Sequence, residues 1–194
     1  MNPIEPQHTA LLVMDVQSDI VARLGDKAAG LLEQAPAVIA AARRAHLPVI
    51  YVVVGFRPGY PELGPRNSPA LAAVVRENRF VLGTPGADIA PSVRPQEGEV
   101  VVVKHRVSAF AGTDLEMILR AKGIDTLVLL GIATGGVVLS TVRQGSDADY
   151  RIVVVKDCCA DADDEVHRVL TEKVFIRQAS VITASELIAA LPLP

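Results

Sequence analysis

Two charged residues stand where buried runs of the chain end. Asp15 follows the apolar run 9–14, and Lys104 closes a run of valines at 100–104. If both runs are parallel strands of one sheet, a carboxylate and an ammonium group meet at its carboxyl edge, where each can tune the other for proton transfer. Each residue also has an ordinary explanation on its own: Asp15 as the cap of a loop, and Lys104 as a lysine whose side chain extends past a strand end to water. The pair together predicts acid–base chemistry.

A third stretch, GIATGGVVLS (131–140), lies between an apolar run and a helical pattern. Gly135 and Gly136 permit backbone conformations in which amide groups turn toward a ligand. A helix that begins at this point favours an anion or a developing oxyanion. A close-packed strand-to-helix turn explains the same residues equally well. The middle of the turn holds no Cys, Ser, Lys or His, so a site here has no nucleophile of its own.

The bulk composition excludes several classes of function. The 194 residues carry a net charge of −3 and contain no Trp, which argues against binding of nucleic acid. No uncharged apolar stretch reaches the length of a membrane span, and the N-terminus lacks the pattern of a signal peptide. The only cysteines, Cys158 and Cys159, are adjacent, and the four histidines are scattered. We therefore expect a cytoplasmic protein without a disulfide framework, a metal site or a cofactor.

Short apolar runs alternate with helical patterns along the chain. The runs do not alternate with polar residues, which is typical of strands buried on both faces of a parallel sheet. They cover residues 9–14, 48–54, 100–104, 126–131, 151–156 and 179–183. Helices are predicted over 31–46, 113–123, 138–148 and 163–175. This order predicts an α/β, doubly wound fold, in which ligands bind beyond the carboxyl ends of the strands.

One connection is unusually long. Residues 55–99 separate the second and third runs, are rich in proline and contain a short helical pattern at 68–79. Connections of this length are functional lids, interface arms or partly disordered segments. Apart from this connection, the chain of 194 residues is predicted to form a single domain, 1–194.

Three motifs in this order resemble the isochorismatase-like hydrolase superfamily, the cysteine hydrolases. LLVMDVQSDI (11–20) is similar to the opening Asp-x-Gln motif of the family, with Ile20 where Phe is usual. VVKHRVSAFAGTDLEMIL (102–119) resembles its lysine segment, and TLVLLGIATGGVVLSTV (126–142) its nucleophile segment. The likeness extends over about residues 9–190. It implies a three-layer α/β/α fold with a six-stranded, mainly parallel sheet, and a non-proline cis peptide at Ile132–Ala133 or Ala133–Thr134.

The resemblance also implies roles for particular residues. In the amidase branch a Cys attacks a carbonyl group, the Asp takes its proton, the Lys assists, and backbone amides of the turn hold the oxyanion. The matching turn residues here are Ala133, Thr134, Gly135 and Gly136. The position of the Cys falls on Val137, so this chain is interpreted as a member without the nucleophilic Cys. Candidate substrate-binding residues are Gln17, Arg57, as an anchor for a carboxylate, and Phe110, as a wall of the pocket.

The leading hypothesis is a hydrolase that acts on a small anionic substrate through Asp15 and Lys104, with water as the nucleophile. The isochorismatase branch works in this way, and it requires a raised pKa of the Asp. A catalytically silent member that binds a metabolite or serves as a subunit is the alternative. A third hypothesis is an amidase with a relocated thiol from Cys158 or Cys159. A homodimer or homotetramer is expected, with no metal, nucleic acid or membrane partner.

Overall fold

The sheet is built from six parallel strands in the order β3-β2-β1-β4-β5-β6. The computed structural model describes residues 4–66 and 68–192. The strands are β1 (Thr9–Met14), β2 (Val49–Val54), β3 (Val100–Lys104), β4 (Thr126–Ile132), β5 (Arg151–Ala160) and β6 (Ala179–Ile182). The predicted doubly wound parallel sheet is confirmed, and β5 is longer than the predicted 151–156.

Helices cover both faces of the sheet. They are α1 (Ser18–Leu24), α2 (Ala29–Arg44), α3 (Pro69–Arg76), α4 (Leu115–Ala121), α5 (Leu139–Asp147), α6 (Asp164–Val169) and α7 (Ala184–Ala190). Side chains of α2 and α7 pack on one face, and those of α4 and α5 pack on the other. Every residue of β1, β2 and β4 is buried, because these central strands are covered on both sides. This double burial explains their unbroken apolar runs.

The centre of the sheet is tightly packed where β1 meets β4. Gly131 lies opposite Met14 and has a φ of 145°. A Cβ atom at this position would lie 2.1 Å from the Met14 carbonyl oxygen, so only glycine fits. This close approach brings the turn after β4 next to Asp15, the residue that follows β1.

The long connection is packed against the sheet in its described part. Phe56, Tyr60, Val74 and Phe80 form a small apolar core with the end of β2. The far end of the connection is hydrogen-bonded to the segment after β1, because Val16 accepts from the amide of Ala90 and the amide of Ser18 donates to Asp88. The described part of the connection is thus folded onto the sheet, and its role as a lid or an interface arm stays a prediction; Asn67 lies outside the described residues.

Among the described residues, no helix combines the length and the apolar character that a membrane crossing requires.

Candidate active site

Asp15 and Lys104 meet at the carboxyl edge of the sheet. The Lys104 Nζ atom lies 2.8 Å from Asp15 Oδ2. Because β2 separates β3 from β1, the two residues stand about 10 Å apart in the sheet, at twice the spacing of neighbouring strands. The long lysine side chain bridges this distance. The sequence-based expectation that these two groups share one edge is confirmed in geometry, while their catalytic role stays a prediction.

The backbone turns sharply at Asp15 as it leaves β1. Its φ is 54°, in the left-handed region that Asp tolerates better than most residues. Its amide still donates to Val52, so the residue remains tied to β2. Oδ2 is held by Lys104, whereas Oδ1 is buried without a hydrogen-bond partner. One oxygen of the carboxyl group therefore has its hydrogen-bonding capacity unused among the described residues.

The environment of Asp15 favours its protonated form. Burial raises the pKa of the Asp15 carboxyl group, and the charge and hydrogen bond of Lys104 oppose this shift without cancelling it. The ammonium group of Lys104 is itself buried and donates a second hydrogen bond to the Arg106 carbonyl at 3.0 Å. A carboxyl group with a raised pKa beside a fixed cation is suited to deliver a proton and then to be stabilised as a carboxylate.

Gln17 holds backbone instead of facing a cavity. Its Nε2 donates to the carbonyls of Val54 and Ala87 at 2.9 and 2.7 Å, and its Oε1 accepts from the Val54 amide at 2.9 Å. Both donor hydrogens are used, and the residue is fully buried. This corrects the expectation that Gln17 binds substrate. The side chain joins the ends of β1, β2 and the long connection behind the Asp15–Lys104 pair.

Val137 lies in the turn after β4. The cis peptide bond expected from the resemblance is found at Ile132–Ala133. A short turn, Thr134–Val138, follows it and leads into α5, and the chain is kinked at Gly136, whose φ of −105° and ψ of −107° are not helical. Val137 is 2% exposed and packs with the apolar core on the α5 side of the sheet. The turn therefore presents a hydrocarbon side chain at this position.

Two of the predicted oxyanion-binding amides have acceptors within the protein. The Gly135 amide donates to Asp161 Oδ2 at 2.6 Å, and the Gly136 amide donates to the Ala133 carbonyl at 3.0 Å. Thr134 is fully buried, with its hydroxyl group 2.8 Å from His167 Nδ1. In the observed conformation neither glycine amide is directed at a free site, so their role toward an oxyanion remains a prediction.

Arg57 and Phe110 differ from their expected positions. The exposed guanidinium group of Arg57 forms an ion pair with Glu62 at 2.7 Å, so it already binds a carboxylate of the chain itself. The Phe110 ring packs against Tyr150, with centroids 5.7 Å apart, and lies beneath Gly145 of α5. This position is near the amino ends of β4 and β5, opposite the edge that holds Asp15. The expectation that Phe110 forms a wall of the pocket is wrong; it is a core residue.

The two cysteines are buried within β5. Cys159 pairs with Gly131 across the strands, and burial raises its thiol pKa to about 12. Burial also raises the pKa of Cys158 far above its usual range. Both thiols are therefore protonated at neutral pH and are poor nucleophiles. The hypothesis of a relocated catalytic thiol finds no support in this geometry.

Two residues near the turn were missed in the sequence. Asp161 follows β5, and the rule that singled out Asp15, a polar residue directly after a buried strand, points to it as well. His167 gave no signal, because a lone histidine in an amphipathic helix has many ordinary explanations. Burial lowers the pKa of His167, Lys156 adds to this shift, and Asp161 and Asp164 oppose it.

Two features of the described residues concern possible ligands: metal-binding side chains and open space. Within residues 4–66 and 68–192, no cluster of three or more His, Cys, Asp and Glu residues could hold a metal ion. A cavity of about 340 Å³ lies beside the end of β3, lined by Glu62, His105, Arg106, Ala111 and Gly112. One of its lining residues, Arg106, also supplies the carbonyl group that Lys104 binds.

The fold belongs to the class of three-layer α/β proteins, and its candidate site is the buried acid–lysine pair at the carboxyl edge of the parallel sheet. Comparison with known proteins identifies the family: residues 9–186 match the isochorismatase domain. The chain belongs to the isochorismatase family and is a hydrolase of that family.

Three relatives illustrate the similarity. The isochorismatase family protein YecD of Escherichia coli O157:H7 is 33% identical over 98% of this chain and 100% of its own length. The ureidoacrylate amidohydrolase RutB of Methylobacterium radiotolerans is 32% identical over 97% of this chain and 82% of its own. The crystal structure of a cysteine hydrolase from Pseudomonas syringae pv. phaseolicola superposes with a TM-score of 0.91 at 25% identity, covering 98% of this chain and 95% of that one.

Proposed function

We propose that this hydrolase acts on a small anionic metabolite by acid–base chemistry of Asp15 and Lys104, with water in place of a cysteine nucleophile. The observation that carries the proposal is the 2.8 Å contact between the two buried groups, together with the unpartnered Oδ1 of Asp15. The names of relatives such as ureidoacrylate amidohydrolase support small acidic substrates.

The reaction would begin with Asp15 protonated on Oδ1. On a vinyl ether, Asp15 gives this proton to carbon, and water then adds to the resulting cation and returns a proton to the Asp15 carboxylate. The adduct then breaks into a carbonyl compound and an alcohol. Lys104 remains an ammonium ion throughout and stabilises the carboxylate that Asp15 leaves behind. The raised pKa of Asp15 suits this first step, because it increases the share of the protein in which the carboxyl group still holds its proton.

Val137 would occupy the position of the family nucleophile. Its side chain has no lone pair and no proton to give, so a thioester intermediate at this position is impossible. Water must then supply the attacking oxygen, and the buried surroundings of Val137 limit its access to the site. The mechanism therefore requires a path by which water reaches the buried site.

The test is a kinetic screen of the purified protein against isochorismate, simpler vinyl ethers, ureidoacrylate and small amides. We expect turnover of at least one anionic substrate, and loss of that turnover by about a hundredfold or more in Asp15→Asn, which keeps the shape of the side chain but not the acid. Arg120→Gln, on the exposed surface of α4, serves as the control. Equal inactivity of the wild type and Asp15→Asn on all substrates would refute the proposal.

A catalytically silent protein is the second candidate function. The observation that favours it is the burial of all three central residues, with Asp15 at 5%, Lys104 at 2% and Val137 at 2% exposure. In this case the pair is a structural ion pair, and the chain binds a metabolite or another subunit elsewhere. Binding of a screened metabolite without turnover, unchanged in Asp15→Asn, would favour this function over the first.

We also propose that the chain is a cytoplasmic homodimer or homotetramer. The apolar side chains on its surface support association, since Met117 and Ile176 are 69% and 59% exposed. Light scattering at micromolar concentration tests this point, and a monomer would contradict it.

A further inference from the structure

The turn after β4 is held from outside by the segment that follows β5. Asp161 lies directly after β5 and accepts a hydrogen bond of 2.6 Å from the Gly135 amide through Oδ2. Its other oxygen, Oδ1, accepts from the amide of Asp163, which fixes the orientation of the carboxyl group. A backbone amide that donates to a carboxylate makes one of the stronger hydrogen bonds in proteins.

A second contact comes from α6, one residue earlier in the turn. Thr134 Oγ1 lies 2.8 Å from His167 Nδ1, and the threonine is completely buried. The position of α6 is itself fixed by Asp163, whose carboxylate caps the first turn of the helix. Neighbouring residues of the turn are thus bound by two side chains that belong to one short segment.

Packing at Gly135 shows how closely this segment meets the turn. A Cβ atom at position 135 would lie 3.0 Å from Val166 Cγ1 and 3.2 Å from Asp161 Oδ2. On the continuation of α6, Leu170 Cδ1 would lie 3.7 Å from the same Cβ atom. A side chain at position 135 would displace these neighbours by a few tenths of an ångström, so the segment packs tightly against the turn.

We propose that Asp161 and His167 are positioning residues, which hold the turn 133–138 in its observed conformation next to the end of β1, where Asp15 stands. The catalytic consequence rests on the proposed function, whereas the structural clamp does not. Gly131 of the same strand lies opposite Met14, so a shift of the turn changes the surroundings of the Asp15 carboxyl group. Neither Asp161 nor His167 needs to touch the substrate for this effect.

Amide hydrogen exchange tests the clamp without any substrate. In Asp161→Ala we expect the Gly135 amide to exchange about tenfold faster or more, because it loses a charged acceptor. Amides of β1 and β4 in the same spectra report global unfolding and should keep their protection. Asp161→Asn retains an acceptor oxygen and should lie in between, and it replaces the alanine variant if that one does not fold. Glu172→Gln, an exposed change on the continuation of α6, is the matched control. Unchanged exchange of Gly135 in both Asp161 variants would overturn the proposal.

Kinetics test the consequence for the reaction. With isochorismate or ureidoacrylate, whichever the wild type hydrolyses, we expect His167→Leu to lower kcat about tenfold or more with KM within about threefold, since alignment of the turn is lost but binding is not. In His167→Asn the amide lies near the position of Nδ1 and should restore most of kcat. A purely structural role predicts equal kcat in all folded variants, and that result would overturn the proposal.

The hydrogen-exchange and kinetic experiments distinguish failure of this inference from failure of the proposed function. If the wild type turns over none of the screened substrates, the proposed function fails, and the hydrogen exchange of the Gly135 amide alone decides whether the clamp exists. If turnover is found and Asp15→Asn abolishes it, but the His167 variants retain full kcat, the proposed function stands and the positioning role is wrong.

Discussion

Replacement of Lys104 by methionine isolates the energetics of the buried pair. Met keeps most of the length and apolar volume of the lysine stem but removes the ammonium group. At 2.8 Å the attraction between the two charges is about 6 kcal/mol for an effective dielectric constant of about 20. Part of this attraction offsets the cost of burying the charges, so the net loss expected on removal of one partner is about 3–5 kcal/mol at neutral pH. That is a large share of the stability of a typical domain.

The loss should depend on pH in a defined direction. Without Lys104 the pKa of the buried Asp15 rises further, because the charge and hydrogen bond of Lys104 no longer oppose the effect of burial. A raised pKa in the folded state gives stability that is fully present below the pKa of the unfolded chain and is lost as pH rises through the folded value. Lys104→Met should therefore lie closer to the wild type at about pH 5 than at about pH 7.5.

The assay is urea unfolding of four proteins at the two pH values: the wild type, Lys104→Met, Asp15→Asn/Lys104→Met and Lys122→Met. The double variant carries no buried charge at this site and should recover part of the loss. Lys122→Met removes an exposed lysine at the end of α4 and should stay within about 0.5 kcal/mol of the wild type. A loss below about 1 kcal/mol at neutral pH in Lys104→Met, or a loss that does not shrink in acid, would refute this account of the pair.

Three further outcomes are expected. Gln17→Leu should lower the free energy of unfolding by about 2–4 kcal/mol, because it strands backbone groups of Val54 and Ala87, and a thermal shift no larger than that of a surface variant would contradict this. Cys159 should resist iodoacetamide in the folded protein and react only after unfolding, since its pKa is about 12; modification of the native protein, seen by mass spectrometry, would exclude this picture. Val137→Cys should release ammonia from a small amide that the wild type and Val137→Ala leave intact, and equal rates for all three would show that position 137 is not the site of the nucleophile.

Much of the architecture could be predicted from local pattern. Unbroken apolar runs identified all six strands, because a strand covered on both faces has no reason to alternate. The same pattern placed Asp15 and Lys104 at one edge, since parallel strands end on the same side. The end of β5 was missed, because Lys156 and Asp157 interrupt the apolar run within it.

The roles of individual polar residues were harder to predict. Gln17 and Phe110 lie in motifs that suggested contact with substrate, yet one binds backbone and the other fills the core. A sequence motif specifies residue types, but it does not specify the direction of each side chain. His167 reaches Thr134 from 33 positions away along the chain, a contact that no local spacing encodes.

The sequence by itself determined the succession of strands and helices along the chain, the absence of a thiol from the turn after β4, and the two charged groups at the sheet edge. These features depend on residue type and periodicity, which are read directly along the chain. Only the tertiary structure decided that Lys104 crosses the end of β2 to reach Asp15, that both groups are buried, and that Asp161 accepts a hydrogen bond from the Gly135 amide. Each of these depends on distances between segments far apart in sequence, and burial, which sets the pKa of Asp15, exists only once the chain has folded around it.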